Sequence, residues 1–207
     1  MSVPLSPKAA EIVSVTRDLL ALGGYHSFSY ADIAAQVGIS KPSIHHHFPS
    51  KALLVQAVVA QYRAEARGGM AAMDQEIGEP RAMLGAFVAF WADCVENRSM
   101  PFCICAMLAS EQSTLPEEVA GEVRGHFEDL SNWLAQLLQR GHASGQLVLA
   151  DSAAAEAKLL MASVHGAMLA ARALGDPQVF RRIALLATQR LVPASAPSNP
   201  APPTPSP

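Results

Sequence analysis

Charge is scarce in this sequence: Asp, Glu, Lys and Arg make up only 16% of its 207 residues, and aromatic residues only 6%. Cysteine is rarer still. The three present are an odd number without a secretory context, so they are read as thiols rather than a disulfide framework. No apolar run approaches the roughly 18 residues that span a bilayer. The first residues also lack a charged start followed by an apolar stretch and a cleavage site. These absences predict a cytoplasmic chain with no membrane partner. A phosphate loop, a GxSxG elbow, an HExxH pair and a dinucleotide fingerprint are missing too. Neither an enzyme, a catalytic residue nor a cofactor is expected. Because Gly and Pro seldom interrupt the chain before residue 193 and half of its residues are apolar, long helices rich in Ala and Leu should dominate, giving an all-α fold.

What charge there is falls unevenly. Residues 1–67 hold six Lys/Arg against four acids, a net of +2, and the remainder holds nine against fourteen, a net of −5. A modestly basic head on an acidic body suits local contact with phosphates.

Helical signals appear in order along the chain. Ile12, Val15, Leu19 and Leu22 recur at helical spacing ahead of Gly23-Gly24, which predicts a first helix over 8–22. Ser29, with Asp32 three residues on, reads as a capping box, and Gly38 as a left-handed stop. Ser40 caps a third helix that opens on Lys41 and Pro42, where a missing amide hydrogen costs nothing, and Pro49 ends it. Ser50 starts a fourth helix expected to run to about Arg67, with Gly68-Gly69 and the polar stretch 74–80 marking a change of register. Further helical segments are expected over 81–97, 101–111, 117–141, 152–174 and 177–191. The Pro- and Ala-rich tail 193–207 carries no charge and no large apolar side chain, and is expected to be disordered.

The informative stretch is 29–51. Two short helices joined by Val37-Gly38-Ile39-Ser40 form a helix-turn-helix, whose second helix can enter a major groove. At 100° per residue, Ile44 and Phe48 lie about 40° apart and define the buried side of that helix. Pro42, Ser43 and His46 then face outward, flanked by His45 and His47. Adjacent residues on a helix diverge too far to share one ion, so no metal is expected at the three histidines.

Here the sequence resembles the TetR/AcrR family of bacterial regulators over residues 10–60. The resemblance rests on Gly24, Phe28, Ile33-Ala34, Val37-Gly38-Ile39-Ser40, Ile44, His47-Phe48, Ser50-Lys51 and Leu54. It implies a three-helix DNA-binding head (1–53) joined by a linking helix to a helical ligand-binding and dimerisation domain (54–192). It also implies a homodimeric repressor that a small-molecule effector releases from double-stranded DNA at a palindromic operator. Carried over, Ser29 and Tyr30 contact phosphates, Ser40, Lys41, Pro42, Ser43, His45, His46 and His47 form the recognition element, and Lys51 anchors a phosphate. The family usually has Tyr where His45 stands and often Gly where Pro42 stands.

An apolar effector pocket between the later helices is a further implication, with Phe87, Trp91, Cys103, Met107, Trp133, His165 and Met168 as candidate lining residues. The resemblance also places a four-helix dimer interface on the last two helices, through small residues that include Ala162, Gly166, Ala167, Ala170 and Ala171. The segment from Cys103 to Glu111 resembles that of electrophile-responsive repressors within the family, where the first cysteine is the sensor. A helix starting near Pro101 would put Cys103 in its first turn, with Arg98 upstream and Cys105 about 200° further round. The rival of another class is a helical protein-interaction module.

Overall fold

Serines set where the head's helices begin. In the computed structural model, which describes residues 5–97 and 102–193, Ser6 caps α1 (Pro7–Gly23), and a 3-10 turn over Tyr25–Ser27 follows. The Ser29 hydroxyl accepts from the Ala31 amide at 3.2 Å while the Asp32 carboxylate accepts from the Ser29 amide at 2.7 Å, so α2 (Tyr30–Val37) begins on the expected capping box. Gly38 ends it at φ +70°, a left-handed conformation that disfavours a side chain. Ser40 accepts from the Ser43 amide at the start of α3 (Lys41–His47), and Ser50 from the Leu53 amide at the start of α4 (Lys51–Glu76). Ile12, Leu20, Ile33, Ile44 and Leu54 are fully buried, so each helix directs one apolar side into a shared core. A fully buried Leu or Ile contributes about 1.5–3 kcal/mol.

The body consists of α5 (Pro80–Glu96), α6 (Ile104–Ala109), a 3-10 turn over Gln112–Thr114, α7 (Glu117–Ala143), α8 (Ala153–Leu174) and α9 (Pro177–Gln189). Among the described residues there is no strand, and no helix is long and apolar enough to cross a membrane. α8 packs between α7 and α9, while α4 lies along α7.

Two helix limits differ from the sequence expectation. α4 does not stop near Arg67 but runs on through Gly68 and Gly69, because tertiary contacts override the two weak helix formers. Arg63 bonds Asp129 of α7 at 2.6 Å, and Met70 and Met73 pack on the core beyond the glycines. α6 begins at Ile104, with Cys103 in extended conformation at its N-cap rather than inside a first turn. Arg98, Pro101 and the expected disordered tail beyond Pro193 lie outside the described residues.

The head is tied to the body at two places. The Glu111 carboxylate, just past α6, accepts from the Tyr25 amide at 2.6 Å, and His26 Nε2 lies 3.0 Å from the Thr114 hydroxyl. Gly24, at φ +81°, makes this approach feasible, since a Cβ there would sit 2.5 Å from the Glu111 carboxylate. Arg172 of α8 donates to the carbonyls of Ala21 and Leu22, at 3.3 and 2.7 Å, at the end of α1.

Candidate nucleic-acid interface and effector cavity

The caps that start α2 and α3 also decide what α3 presents. With Ile44 fully buried, Lys41, Pro42, His45 and His46 are exposed, while Ser43 and His47 are half-buried. Ser40 is exposed at the turn, although its hydroxyl is engaged by the Ser43 amide. The outward face is therefore polar and compact, with hydroxyl and imidazole groups able to meet base edges and phosphates. His45 is less free than its neighbours: Nδ1 lies 3.3 Å from the Pro49 carbonyl and the ring packs edge-on against Tyr30.

A shallow concavity beside this face gathers Ser29, Tyr30, Lys41, His45 and Lys51, so five of the expected DNA contacts share one surface. Lys51 reaches it from the first turn of α4, where the helix dipole favours an anion. Its ammonium also donates to the Phe28 carbonyl and lies 4.1 Å from the centre of the Phe28 ring. Burial pulls its pKa down, against the attraction of Glu111 and Asp32.

Tyr30 is held more firmly than its neighbours. Its side chain is buried, and its hydroxyl donates to the Phe48 carbonyl at 2.8 Å, closing α2 onto the end of α3. Burial raises its pKa to about 12. The phenol is a packing element that holds the two helices together, while the residue also lines the concavity that holds Ser29 and Lys51.

Behind the head, a cavity of about 250 Å³ opens between α1, α4, α5 and α7. Of the candidate lining residues, Phe87 and Trp91 face it, and Met70, Met73, Phe90 and Leu130 complete an apolar wall. Arg17 of α1 and Glu65 of α4 form an ion pair of 2.6 Å on its lining, and Tyr62 and His126 contribute the remaining polar groups. Met168 is fully buried in the core, Met107 is half-buried against it, and Trp133 lies beneath Phe87 with its indole donating to Asp74 at 2.9 Å, so these three lie off the cavity wall. Met70 and Met73 escaped the sequence reading because the helix was expected to end before them. Arg17 escaped it because it belongs to the head.

Cys103 and His165 lie outside the cavity wall; Cys103 belongs to a buried group behind it, with the half-buried His165 beside it. Cys103 is fully buried, Tyr62 donates to its sulfur at 3.4 Å, and His126 Nε2 lies 3.9 Å away. Burial pushes the Cys103 thiol up, but contacts with Cys105, His126 and His165 outweigh it, and the net direction is down. Cys105 moves up, through burial and then through its neighbour Cys103. The separation of 200° expected between the two cysteines does not apply, because Cys103 stands outside the helix.

The small residues of α8 do not all point one way. Ala167 and Ala171 are buried inside the chain, whereas Leu159, Ala162, Gly166 and Leu169 form an exposed stripe, joined on α9 by exposed Leu185 and Leu186.

Comparison with known proteins decides the family. Residues 12–58 match the bacterial regulatory proteins of the tetR family, and residues 78–186 match the tetracyclin repressor-like C-terminal domain. The chain belongs to the TetR family. It is a DNA-binding transcriptional regulator with the family's N-terminal helix-turn-helix and C-terminal helical domain. A TetR-family regulator from Agrobacterium tumefaciens is 49% identical, covers 90% of this chain and 98% of its own, and superposes with a TM-score of 0.88. A second TetR regulator, from Legionella pneumophila, is 25% identical over 91% of this chain and all of its own, with a TM-score of 0.81. The HTH-type transcriptional regulator UidR of Escherichia coli K12 is 21% identical over 81% of this chain and 83% of its own. Family members bind DNA, usually as dimers that respond to small molecules.

Proposed function

We propose that this TetR regulator is a cytoplasmic homodimeric repressor, released from a palindromic operator when an apolar small molecule enters the cavity between α1, α4, α5 and α7. The observation that carries this reading is the position of Arg17. It lies on the head's first helix yet lines a cavity of the body, so a ligand there touches both units at once. In the dimer, two α3 helices reach successive major grooves about 34–36 Å apart. A ligand that fits better when the heads are mis-spaced must weaken DNA binding by the same coupling free energy, typically about 1–3 kcal/mol. Ser40, Lys41, Pro42, Ser43, His45, His46 and His47 read base edges, while Ser29 and Lys51 hold phosphates.

Gel-shift titration of palindromic duplexes from the adjacent intergenic DNA tests the reading, with anilinonaphthalene sulfonate as an apolar probe. Binding should be sequence-specific and salt-sensitive. The probe should fluoresce on binding and lower operator affinity about tenfold, and Met73→Glu should abolish both effects. Probe binding that leaves operator affinity unchanged would sink the effector assignment.

A second reading, covalent sensing of an electrophile by Cys103, draws on the lowered pKa of its thiol. The sulfur is fully buried, so α6 must open before a reagent reaches it. Release from DNA by a quinone that is lost in Cys103→Ser and kept in Cys105→Ser would favour this reading over the cavity.

A further inference from the structure

The group behind the cavity wall has a composition that the effector reading does not use. The Cys103 and Cys105 sulfurs and a ring nitrogen of His126 all lie within 4.8 Å of one another, and all three residues are buried. His165 of α8 interacts with Cys103 but lies outside that 4.8 Å group. Its Nδ1 lies 2.8 Å from the Met161 carbonyl, and an amide-type carbonyl can only accept, so Nδ1 carries the ring proton. Nε2 is then left with a bare lone pair, and it is a buried side-chain nitrogen with no hydrogen-bond partner among the described residues. The arrangement matches that of a metal-binding histidine, which donates its other N–H to a backbone carbonyl and thereby fixes its tautomer.

The geometry points to a soft divalent cation site, of the zinc class, formed by Cys103 Sγ, Cys105 Sγ and His126 Nε2, with His165 Nε2 as the nearby group that would complete a tetrahedral set by moving in. Two thiolates and a divalent ion sum to zero charge, the combination that a dry apolar core tolerates best. Thiolate and imidazole are the ligand types that zinc takes in tetrahedral sites, at about 2.3 Å to sulfur and about 2.0–2.1 Å to nitrogen. Those lengths put ligand atoms about 3.3–3.8 Å from one another. The 3.9 Å between Cys103 Sγ and His126 Nε2 is already close to that spacing, and for Cys103, Cys105 and His126 the 4.8 Å outer limit asks for shifts of about 1 Å.

Binding breaks two S–H bonds and forms two metal–sulfur bonds, and both protons leave to the buffer. Entry is available from the cavity, because Tyr62 and His126 belong both to its wall and to the cluster. The Tyr62 hydroxyl already donates to Cys103 and would remain as an outer partner of the bound thiolate. The site does not depend on the cavity holding an apolar ligand, and it can be measured without DNA.

The test is a titration of the chelator-treated, reduced full chain with Co²⁺, followed by absorption. One Co²⁺ per chain is expected, with tetrahedral d–d bands and sulfur-to-cobalt charge transfer, both displaced by Zn²⁺. Cys103→Ser and Cys105→Ser should each lose the charge-transfer band, and Cys94→Ser should keep it. His165→Ala should weaken binding by about tenfold or more. A wild-type measurement guards against variants that fail to fold: Zn²⁺ should slow maleimide labelling of Cys103 and Cys105 by about tenfold or more while leaving Cys94 unaffected. Octahedral cobalt without charge transfer, as scattered surface carboxylates and imidazoles would give, overturns the proposal. So does labelling that Zn²⁺ leaves unchanged, or no Co²⁺ retained against a weak chelator.

Discussion

Glu111→Ala should loosen the head from the body without disturbing either core. The carboxylate accepts from the Tyr25 amide at 2.6 Å, and its contact with the His26 amide, at 3.5 Å, is at the limit of a hydrogen bond, so one strong bond is at stake. A charge-assisted hydrogen bond contributes about 1.5–3 kcal/mol when well placed. Because Glu111 and Tyr25 are only half-buried, a loss of about 1–2 kcal/mol is the reasoned value. In a chain of this size that lowers the melting temperature by about 2–8 °C. The sharper readout is native-state hydrogen exchange. The Tyr25 amide should exchange about 5–30 times faster in the variant, since 1.4 kcal/mol is about tenfold, while amides in the middle of α8 stay as protected as before. Arg172→Ala removes the second tie and should couple to Glu111→Ala in a double-mutant cycle, because one holds the last turn of α1 and the other the turn that directly follows it. Unchanged exchange at Tyr25, together with an unchanged melting temperature, would refute the idea that Glu111 holds the head.

Three further outcomes follow from the same geometry. Tyr30→Phe leaves the Phe48 carbonyl without its donor, so about 1–2 kcal/mol of stability should be lost while operator affinity of the folded protein stays within about twofold; a large affinity loss with intact stability would make the Tyr30 hydroxyl a phosphate contact. Glu156, buried at the start of α8, accepts from Arg190 and from the Ala150 amide at 3.1 Å, and the Arg190 bond holds its carboxyl below the usual glutamate range. A lowered folded-state pKa means stability that is present above the ordinary range and lost as pH falls through the folded value. Glu156→Gln should therefore cost about 1–3 kcal/mol at neutral pH, with the gap to wild type closing below about pH 4, as read by thermal unfolding across pH. Leu185→Glu should give monomers by sedimentation with the helical signal intact, because Leu185 is exposed at 53%, whereas Ala167→Glu should fail to fold because Ala167 is wholly buried.

Local signals carried most of the head into view. Ser29 with Asp32, Ser40 with Pro42, Ser50 and Gly38 each act within one turn of their own position, so helix starts and stops could be placed from residue type alone. What escaped was whatever depends on a partner distant in the chain. Gly68-Gly69 looked like a stop because the contacts of Arg63 with Asp129 and of Met70 and Met73 with the core are long-range. The Tyr30 hydroxyl looked available because its acceptor, the Phe48 carbonyl, is eighteen residues away. The cavity draws on α1, α4, α5 and α7 together, so only Phe87 and Trp91 were anticipated on its wall. The pairing of Cys103 with His126 and His165 needed α6, α7 and α8 to converge, and no spacing in the sequence records that.

The uninterrupted run of α4 turns the head and body into the two ends of a lever. At 1.5 Å per residue, its 26 residues make a rod about 39 Å long, with α3 beside one end and the cavity wall towards the other. A tilt of about 5° at the cavity end displaces the opposite end by about 3 Å, a sizeable fraction of the rise of one base pair step on DNA. Gly68 and Gly69 lie along that rod with nothing within 4 Å of where their side chains would be, and each gives up about 1 kcal/mol of helix preference. The rod is thus held to α7 where Arg63 meets Asp129 and has its weakest helix preference five residues further on, on the body side of that tie.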